Sequence, residues 1–226
     1  AGAAMDAMNA DPGVRLVTIL GVGGIGKTRL SLEAAARQLV HYPHGVYWVS
    51  LAPLRTAEAV VPAIATALGF QFYGGGTPRQ QLLDYLREKH MLLLLDNYEH
   101  LLDDDSGAVE ILVDVVAAAP RVKLLATSRA TLNVRGEHRF HISGMEFPEP
   151  MPPASDETPE DVLQYSAIKL LMQSARRARP DFELAAGDLR YVARICRLVQ
   201  GMPLAILLAA AWVDVLSLEE IAVEIA

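Results

Sequence analysis

The sequence predicts an α/β fold in which a five-stranded parallel sheet is followed by a small all-helical domain. Residues 14–142 alternate short apolar runs with longer segments of helical periodicity, which is typical of parallel strands joined by helices. The run MLLLLD at 91–96 is apolar up to its final acid, as expected for a strand that is buried on both faces. After the proline- and acid-rich stretch 146–160, no strand pattern returns.

The individual elements are predicted in chain order from periodicity and from breaks at glycine and proline. Residues 1–13 are alanine-rich and are predicted to be a flexible lead-in. Strands are predicted at 14–20, 45–51, 91–96, 122–128 and 138–144. Helices are predicted at 27–40, 56–69, 77–89 and 107–118, with Thr56 and Thr77 as caps. The predicted domains are therefore a sheet domain at 14–145 and a helical domain at 161–226, separated by the linker 146–160.

The helical domain is predicted to contain four helices, at 160–179, 187–200, 202–213 and 217–226. The last of these has no helix-ending signal, so the chain is expected to be a fragment of a longer protein.

The charge balance argues against a dominant nucleic-acid surface. The formal net charge is −7 at pH 7, whereas duplex binding relies on clustered lysine and arginine. Arg176, Arg177 and Arg179 form a local basic group, for which a solvated helix face is the favoured interpretation. The single cysteine, Cys196, excludes an internal disulfide and is predicted to be a core residue. No apolar run reaches about 18 residues, so no membrane span is predicted and a cytoplasmic location is the default expectation.

The segment GVGGIGKT at 21–28 fits the pattern Gly, four residues, Gly-Lys-Thr. It follows a predicted strand and opens a predicted helix, which is the context of a phosphate-binding loop. Glycines let backbone amides approach phosphate oxygens, and the helix N-terminus adds its positive dipole end. Lys27 is predicted to contact the β- and γ-phosphates, and the Thr28 hydroxyl to bind Mg²⁺. The nucleotide-binding residues predicted in this segment are Gly21, Val22, Gly23, Gly24, Ile25, Gly26, Lys27, Thr28 and Arg29.

Two further strand ends are predicted to contribute to the same site. Asp96 ends a buried strand, where a carboxylate is costly unless it faces a site. Its predicted role is the second magnesium ligand, and a helix cap is the alternative. Glu99 is the candidate general base, although it could equally be a surface carboxylate. Arg129 follows the strand 122–128 and is predicted to sense the γ-phosphate rather than to be an exposed loop residue.

Five segments carry a resemblance to a known class of proteins. They are GVGGIGKTRL, LLLLDNYEHL, LLATSRATL, residues 136–138 and QGMPLAILLAAA at 200–211. Together they resemble the STAND class of signal-transduction ATPases, and especially the bacterial NB-ARC-like domain of large transcriptional regulators. The resemblance covers about residues 14–226 and implies a RecA-like P-loop NTPase fold. It also implies that Lys27 and Thr28 are the Walker A pair, Asp96 the Walker B acid and Arg129 the sensor arginine.

The same resemblance implies a ligand and a mode of action. Gly201, Pro203 and Leu204 match the motif that packs on the base and ribose, so ATP or ADP with Mg²⁺ is the expected ligand. The implied mechanism is a slow switch with weak ATPase activity, in which ATP licenses self-association of the full-length protein. Asn97 stands where many members carry an acid, which implies slow hydrolysis. The Gly-Arg-Glu segment that usually precedes the first strand is missing from residues 1–13.

Two other classes of function remain open from the sequence. One is a working enzyme, either a steadily hydrolysing AAA-type motor or a small-molecule kinase, although no cluster of lid arginines stands out. The other is a passive interaction module with a vestigial nucleotide site, against which the intact Lys27, Thr28 and Asp96 argue. A GTPase is disfavoured because no Asn-Lys-x-Asp motif is present.

Overall fold

Five parallel strands form one sheet in the computed structural model, which describes residues 2–102, 107–149, 159–185 and 187–226. The strands are β1 (Leu16–Leu20), β2 (Val46–Ser50), β3 (Leu92–Asp96), β4 (Lys123–Ser128) and β5 (Glu137–His141). Their order in the sheet is β2-β3-β4-β1-β5, and every neighbouring pair is parallel. This confirms the predicted five-stranded parallel sheet. Because β1 and β3 both flank β4, the carboxyl ends of these three strands meet at one edge of the sheet.

Helices cover the sheet on both faces. They are α1 (Gly2–Ala10), α2 (Lys27–Ala36), α3 (Val60–Leu68), α4 (Pro78–Leu86) and α5 (Glu110–Ala118), with short 3₁₀ turns at Leu39–His41, Ala57–Ala59 and Glu99–Leu101. The hydroxyl of Thr77 caps α4 by accepting a hydrogen bond from the amide of Gln80 (3.2 Å), as predicted. The other predicted cap, Thr56, makes no side-chain capping bond.

The continuous apolar run in β3 follows from its position inside the sheet. All five residues of β3 are buried. Leu93 and Leu95 belong to the cluster that includes α3, α4 and α5, whereas Leu92 and Leu94 belong to the cluster that includes α1 and α2. Because successive side chains of a strand point to opposite faces, a strand buried on both sides must be apolar at every position.

The N-terminal segment differs from the sequence prediction. Residues 1–13 are predicted to be a flexible lead-in, but Gly2–Ala10 forms helix α1. Met5 and Met8 are almost completely buried, and the Lys123 ammonium donates a hydrogen bond to the carbonyl of Met8. An alanine- and methionine-rich helix of nine residues is marginal in isolation, so packing against the sheet stabilises it rather than local propensity.

We predict that Met8→Ala lowers the free energy of unfolding by about 2–5 kcal/mol, the usual effect of truncating a buried methionine. Asp6→Ala on the exposed side of the same helix is the matched control, and its effect should stay within about 0.5 kcal/mol. Urea unfolding monitored by circular dichroism measures both. Equal midpoints for the two variants would mean that α1 does not pack on the sheet.

Contacts between Cα atoms divide the chain into two units, Ala1–Gly23 with Lys27–Ile142 and Gly24–Gly26 with Ser143–Ala226. The domain boundary at residue 145 stays a prediction. Of the predicted linker 146–160, residues 150–158 lie outside the described part of the chain.

Within its described residues, the second unit contains helices and no strand. They are α6 (Pro159–Val162), α7 (Ser166–Ala178), α8 (Leu189–Leu198), α9 (Pro203–Ala211) and α10 (Leu218–Glu224), with a short 3₁₀ turn at Trp212–Asp214. The single helix predicted at 160–179 is therefore two helices. Cys196 is fully buried in this unit's core, where burial raises the pKa of its thiol to about 12, so it is a core residue as predicted. Within the described residues, no helix is both long and apolar enough to cross a bilayer.

Candidate nucleotide-binding site

The glycine-rich loop connects β1 to α2. Gly24 and Gly26 have positive φ angles of 78° and 90°, a region that residues with a side chain rarely adopt. Because α2 begins at Lys27, its unpaired N–H groups and the positive end of its dipole lie directly after the loop. A loop of this shape at a helix N-terminus is a binding site for anions such as phosphate.

Lys27 is almost buried and bonds to its own loop. Its ammonium donates hydrogen bonds to the carbonyls of Gly21 (2.7 Å) and Val22 (3.1 Å). Burial lowers the pKa of Lys27 below its usual value, and the nearby carboxylate of Glu99 opposes this shift. These two bonds use two of the three ammonium N–H groups. The remaining N–H group and the positive charge suit an anion held by the loop.

Asp96 joins α2 to the ends of two strands. Its Oδ1 atom accepts hydrogen bonds from the hydroxyls of Thr28 (2.8 Å) and Thr127 (2.6 Å). The two predicted magnesium ligands, Thr28 and Asp96, are therefore in direct contact. Thr127 had no predicted role, although a hydroxyl residue at the end of a strand beside Asp96 was a usable signal. Its hydroxyl also accepts a hydrogen bond from the amide of Asn97 (2.9 Å).

Glu99 and Arg129 form an ion pair. The distance between Arg129 Nε and Glu99 Oε1 is 2.9 Å, and the Glu99 side chain is only 15% exposed, against 64% for Arg129. The second carboxylate oxygen, Oε2, is buried and has no hydrogen-bond partner among the described residues. A Cβ atom built on Gly23 would lie 3.2 Å from Arg129 Cζ, so the guanidinium rests against the loop. The candidate base Glu99 and the candidate sensor Arg129 are thus paired with each other.

The contacts of the other predicted binding residues are less informative about nucleotide binding. Gly24 groups with the second unit, and within that unit the amide of Leu204 donates a hydrogen bond to the Gly24 carbonyl (3.2 Å). Pro203 is the first residue of α9, which explains the helix start at this position. Arg29 is exposed on α2. The roles of Pro203, Leu204 and Arg29 in binding a nucleotide stay predictions.

This sheet order, the loop between β1 and α2 and the acid at the end of β3 define the RecA-like class of P-loop ATPases. The NB-ARC domain model matches residues 3–140, so the chain belongs to the NB-ARC family, within the STAND class. The resemblance inferred from the five sequence segments is confirmed, and with it a nucleotide-binding module.

Two relatives from Mycobacterium tuberculosis are longer than this chain. It is 34% identical over 208 residues to a protein named "Putative HTH-type transcriptional regulator", and the match covers 92% of this chain and 21% of that protein. It is also 34% identical over 207 residues to an uncharacterised protein, with coverage of 92% and 48%. The chain therefore spans about a fifth of the first relative and about half of the second.

Solved structures with low sequence identity share the fold. One is a STAND protein with a tetratricopeptide repeat sensor from Pyrococcus horikoshii, with a TM-score of 0.50 and 17% identity, covering 88% of this chain and 28% of that one. Another is the ORC2 protein of Aeropyrum pernix, with a TM-score of 0.56 and 15% identity, covering 99% and 64%. At such identities the likeness concerns the fold alone.

Proposed function

We propose that this chain is the ATP/ADP-binding switch module of a signal-transduction ATPase regulator and that it hydrolyses ATP slowly with Mg²⁺. The observation that carries the proposal is the hydrogen bond between Thr28 and Asp96 (2.8 Å), directly after a glycine loop that contains a buried lysine. A passive module would have no need to keep a carboxylate, a hydroxyl and an ammonium together at the end of a sheet, since burying such groups is costly.

The residues present suit a magnesium nucleotide. Loop amides, the N-terminus of α2 and Lys27 would bind the phosphates. Thr28 and Asp96 would hold Mg²⁺, which typically takes one or two protein ligands and completes its shell with phosphate and water. Within the described residues, no group of three or more His, Cys, Asp or Glu side chains could hold a metal by itself. When bound, the metal would neutralise charge on the β- and γ-phosphates.

Glu99 and Arg129 would have different roles at the site, the first toward water and the second toward the γ-phosphate. The Glu99 carboxylate, once Arg129 turns to a phosphate, could accept a hydrogen bond from a water and orient it. Arg129 can exchange its carboxylate partner for a phosphate oxygen, because both accept the same guanidinium donors. An arginine that must first leave Glu99 would respond to the third phosphate group, and this dependence makes a switch rather than a fast enzyme.

The longer protein is proposed to be a cytoplasmic transcriptional regulator that self-associates in response to nucleotide. The support for this part is the name of the M. tuberculosis relative, together with the family to which the chain belongs. These properties belong to the whole protein, of which this chain is the nucleotide-binding part.

Mass spectrometry of the small molecules released from freshly purified protein tests the proposal directly. Copurified ADP together with slow turnover would support a switch, whereas steady turnover would favour a motor. Titration with ATP and ADP up to millimolar concentration completes the test. An empty site at those concentrations would leave a vestigial module as the better interpretation.

We predict that Arg129→Ala weakens ATP binding by roughly tenfold and ADP binding by less than about twofold, because only ATP offers a γ-phosphate to the guanidinium. Calorimetric titration in the presence of Mg²⁺ measures both affinities. Arg135→Ala, which removes another exposed arginine of the following loop, is the control and should change neither. Equal losses for ATP and ADP in Arg129→Ala would refute γ-phosphate sensing.

A further inference from the structure

The turn after β3 contains a chain of hydrogen bonds from Asn97 through His100 to Leu54, here called the relay. No predicted role explains it. Asn97 has a positive φ of 68°, which is uncommon for a residue with a side chain but is tolerated by asparagine. The Asn97 side-chain Nδ2 donates a hydrogen bond to Nδ1 of His100 (3.1 Å). On the other side of the ring, His100 Nε2 donates to the backbone carbonyl of Leu54 (3.0 Å). The relay thus joins the end of β3 to the loop that follows β2.

The chemistry of the two partners specifies the protonation of the ring. The Leu54 carbonyl can only accept a hydrogen bond, so Nε2 must carry a proton. The Asn97 amide nitrogen can only donate, so Nδ1 must be unprotonated. Both ring nitrogens of His100 are therefore paired, with Nε2 as the donor and Nδ1 as the acceptor. Hydrogen bonds on both sides fix the orientation of the ring.

The hydrogen bonds of Asn97 and His100 hold the chain on both sides of Glu99. Glu99 lies between Asn97 and His100 in the chain and begins the 3₁₀ turn Glu99–Leu101. The amides of Asn97 and Tyr98 bond to the hydroxyl and the carbonyl of Thr127, both at 2.9 Å. The turn is thus held on the β4 side by Thr127 and on the β2 side by His100.

Glu99 itself needs an external scaffold. Its Oε1 atom bonds to Arg129, while its buried Oε2 atom has no hydrogen-bond partner among the described residues. A buried carboxylate oxygen without a hydrogen-bond donor is energetically costly. The side chain is therefore stabilised by any rotation that brings this oxygen to a donor. The backbone on both sides must therefore be rigid if the Glu99 carboxylate is to keep its position.

We infer that Asn97 and His100 are positioning residues, which hold the turn after β3 so that the carboxylate of Glu99 is presented beside the phosphate-binding loop. The inference rests on the proposed role of Glu99 in hydrolysis. In this proposal, neither residue needs to contact the nucleotide. Asn97 thus fixes the orientation of His100, and His100 holds the turn that positions the carboxylate of Glu99.

Three substitutions distinguish the effect of losing the relay from a general loss of stability. His100→Phe keeps a ring and removes both hydrogen bonds, whereas His100→Gln keeps one acceptor and one donor at similar reach. Asn97→Gly keeps the left-handed backbone and removes only the amide side chain. We expect His100→Phe and Asn97→Gly to slow single-turnover ATP hydrolysis by about tenfold or more while the Kd for ADP stays within about twofold. His100→Gln should recover most of the rate, and His138→Phe on the exposed strand β5 is the matched control.

A double-mutant cycle tests the dependence on Glu99. If His100 acts through Glu99, adding His100→Phe to Glu99→Gln causes no further loss of rate, because the two residues act as one unit. Additive losses would overturn the inference. A wild-type rate in His100→Phe, alongside a slowed Glu99→Gln, would also overturn it and leave the proposed function intact.

Nuclear magnetic resonance of ¹⁵N-labelled histidine provides a readout without nucleotide. The expected result is a neutral His100 protonated at Nε2 in the wild-type chain, and a ring exchanging between tautomers in Asn97→Gly. The His100→Gln variant assigns the signal. A ring protonated at Nδ1 in the wild-type chain would overturn the relay. Failure of the wild-type chain to bind ATP or ADP would instead contradict the proposed function, and the tautomer would still decide whether the relay exists.

Discussion

Lys27→Ala is expected to weaken the binding of both ATP and ADP by roughly tenfold or more. The substitution removes the one full positive charge inside the loop, where the ammonium is almost buried and bonds to the carbonyls of Gly21 and Val22. A tenfold loss corresponds to about 1.4 kcal/mol. That is close to the lower limit of what a hydrogen bond to a charged group contributes, about 1.5–3 kcal/mol. The β-phosphate is common to both nucleotides, so both affinities should fall.

Lys123→Ala is the matched control for Lys27→Ala. Burial lowers the pKa of Lys123 as well, and its ammonium also bonds to a backbone carbonyl, that of Met8. Lys123 begins β4 at the opposite edge of the sheet, so its loss should affect stability but not nucleotide affinity. Isothermal calorimetry, corrected for the folded fraction of each variant, measures the difference. Unchanged affinity in Lys27→Ala would remove the basis of the proposed function.

Elements with a strong local pattern were the ones that the sequence predicted best. The run at 91–96 is β3 because a strand between two helix layers must be apolar at each position. The segment 21–28 joins β1 to the first residues of α2 because its glycines and its helix start specify that local geometry. The contact between Thr28 and Asp96 was also predictable, since Thr28 follows β1, Asp96 ends β3, and the carboxyl ends of the parallel strands lie at one edge of the sheet.

Features that depend on tertiary packing were not predictable. Helix α1 has no capping signal and no strong periodicity, and it is defined by burial of Met5 and Met8. The ion pair between Glu99 and Arg129 joins residues thirty positions apart through side-chain conformations that no spacing rule contains. Thr127 was recognised only as the end of a strand, although its hydroxyl bonds to Asp96 and to the amide of Asn97.

The charged side chains around the phosphate-binding loop balance one another. Lys27 and Arg129 are cations, Asp96 and Glu99 are anions, and Coulombic interactions with the other three shift the pKa of Lys27 in both directions. A triphosphate brings negative charge that competes with Glu99 for Arg129 and with the loop carbonyls for Lys27. Mg²⁺ would restore part of the balance at Asp96. Nucleotide binding should therefore exchange existing pairs rather than fill an uncompensated positive pocket.

Asp96→Ala is expected to abolish the dependence of ATP affinity on Mg²⁺. In the wild-type chain, Mg²⁺ should strengthen ATP binding by roughly tenfold or more, because Asp96 and the phosphates share the metal. Without the carboxylate, affinities measured with Mg²⁺ and with a chelator should agree within about twofold. Asp96→Asn keeps the shape and an acceptor for Thr28 and Thr127, so it separates the loss of charge from the loss of the two hydrogen bonds.

Thr127→Val is the control that completes the test of Asp96. It removes the 2.6 Å hydrogen bond to the carboxylate and leaves the charge in place. We expect it to destabilise the turn after β3, because the amide of Asn97 loses its acceptor, yet to keep the effect of Mg²⁺ on ATP affinity. If Asp96→Asn retained the same effect of Mg²⁺, the carboxylate would be a structural clamp between α2, β3 and β4. The metal would then have to be held by Thr28 and the phosphates alone.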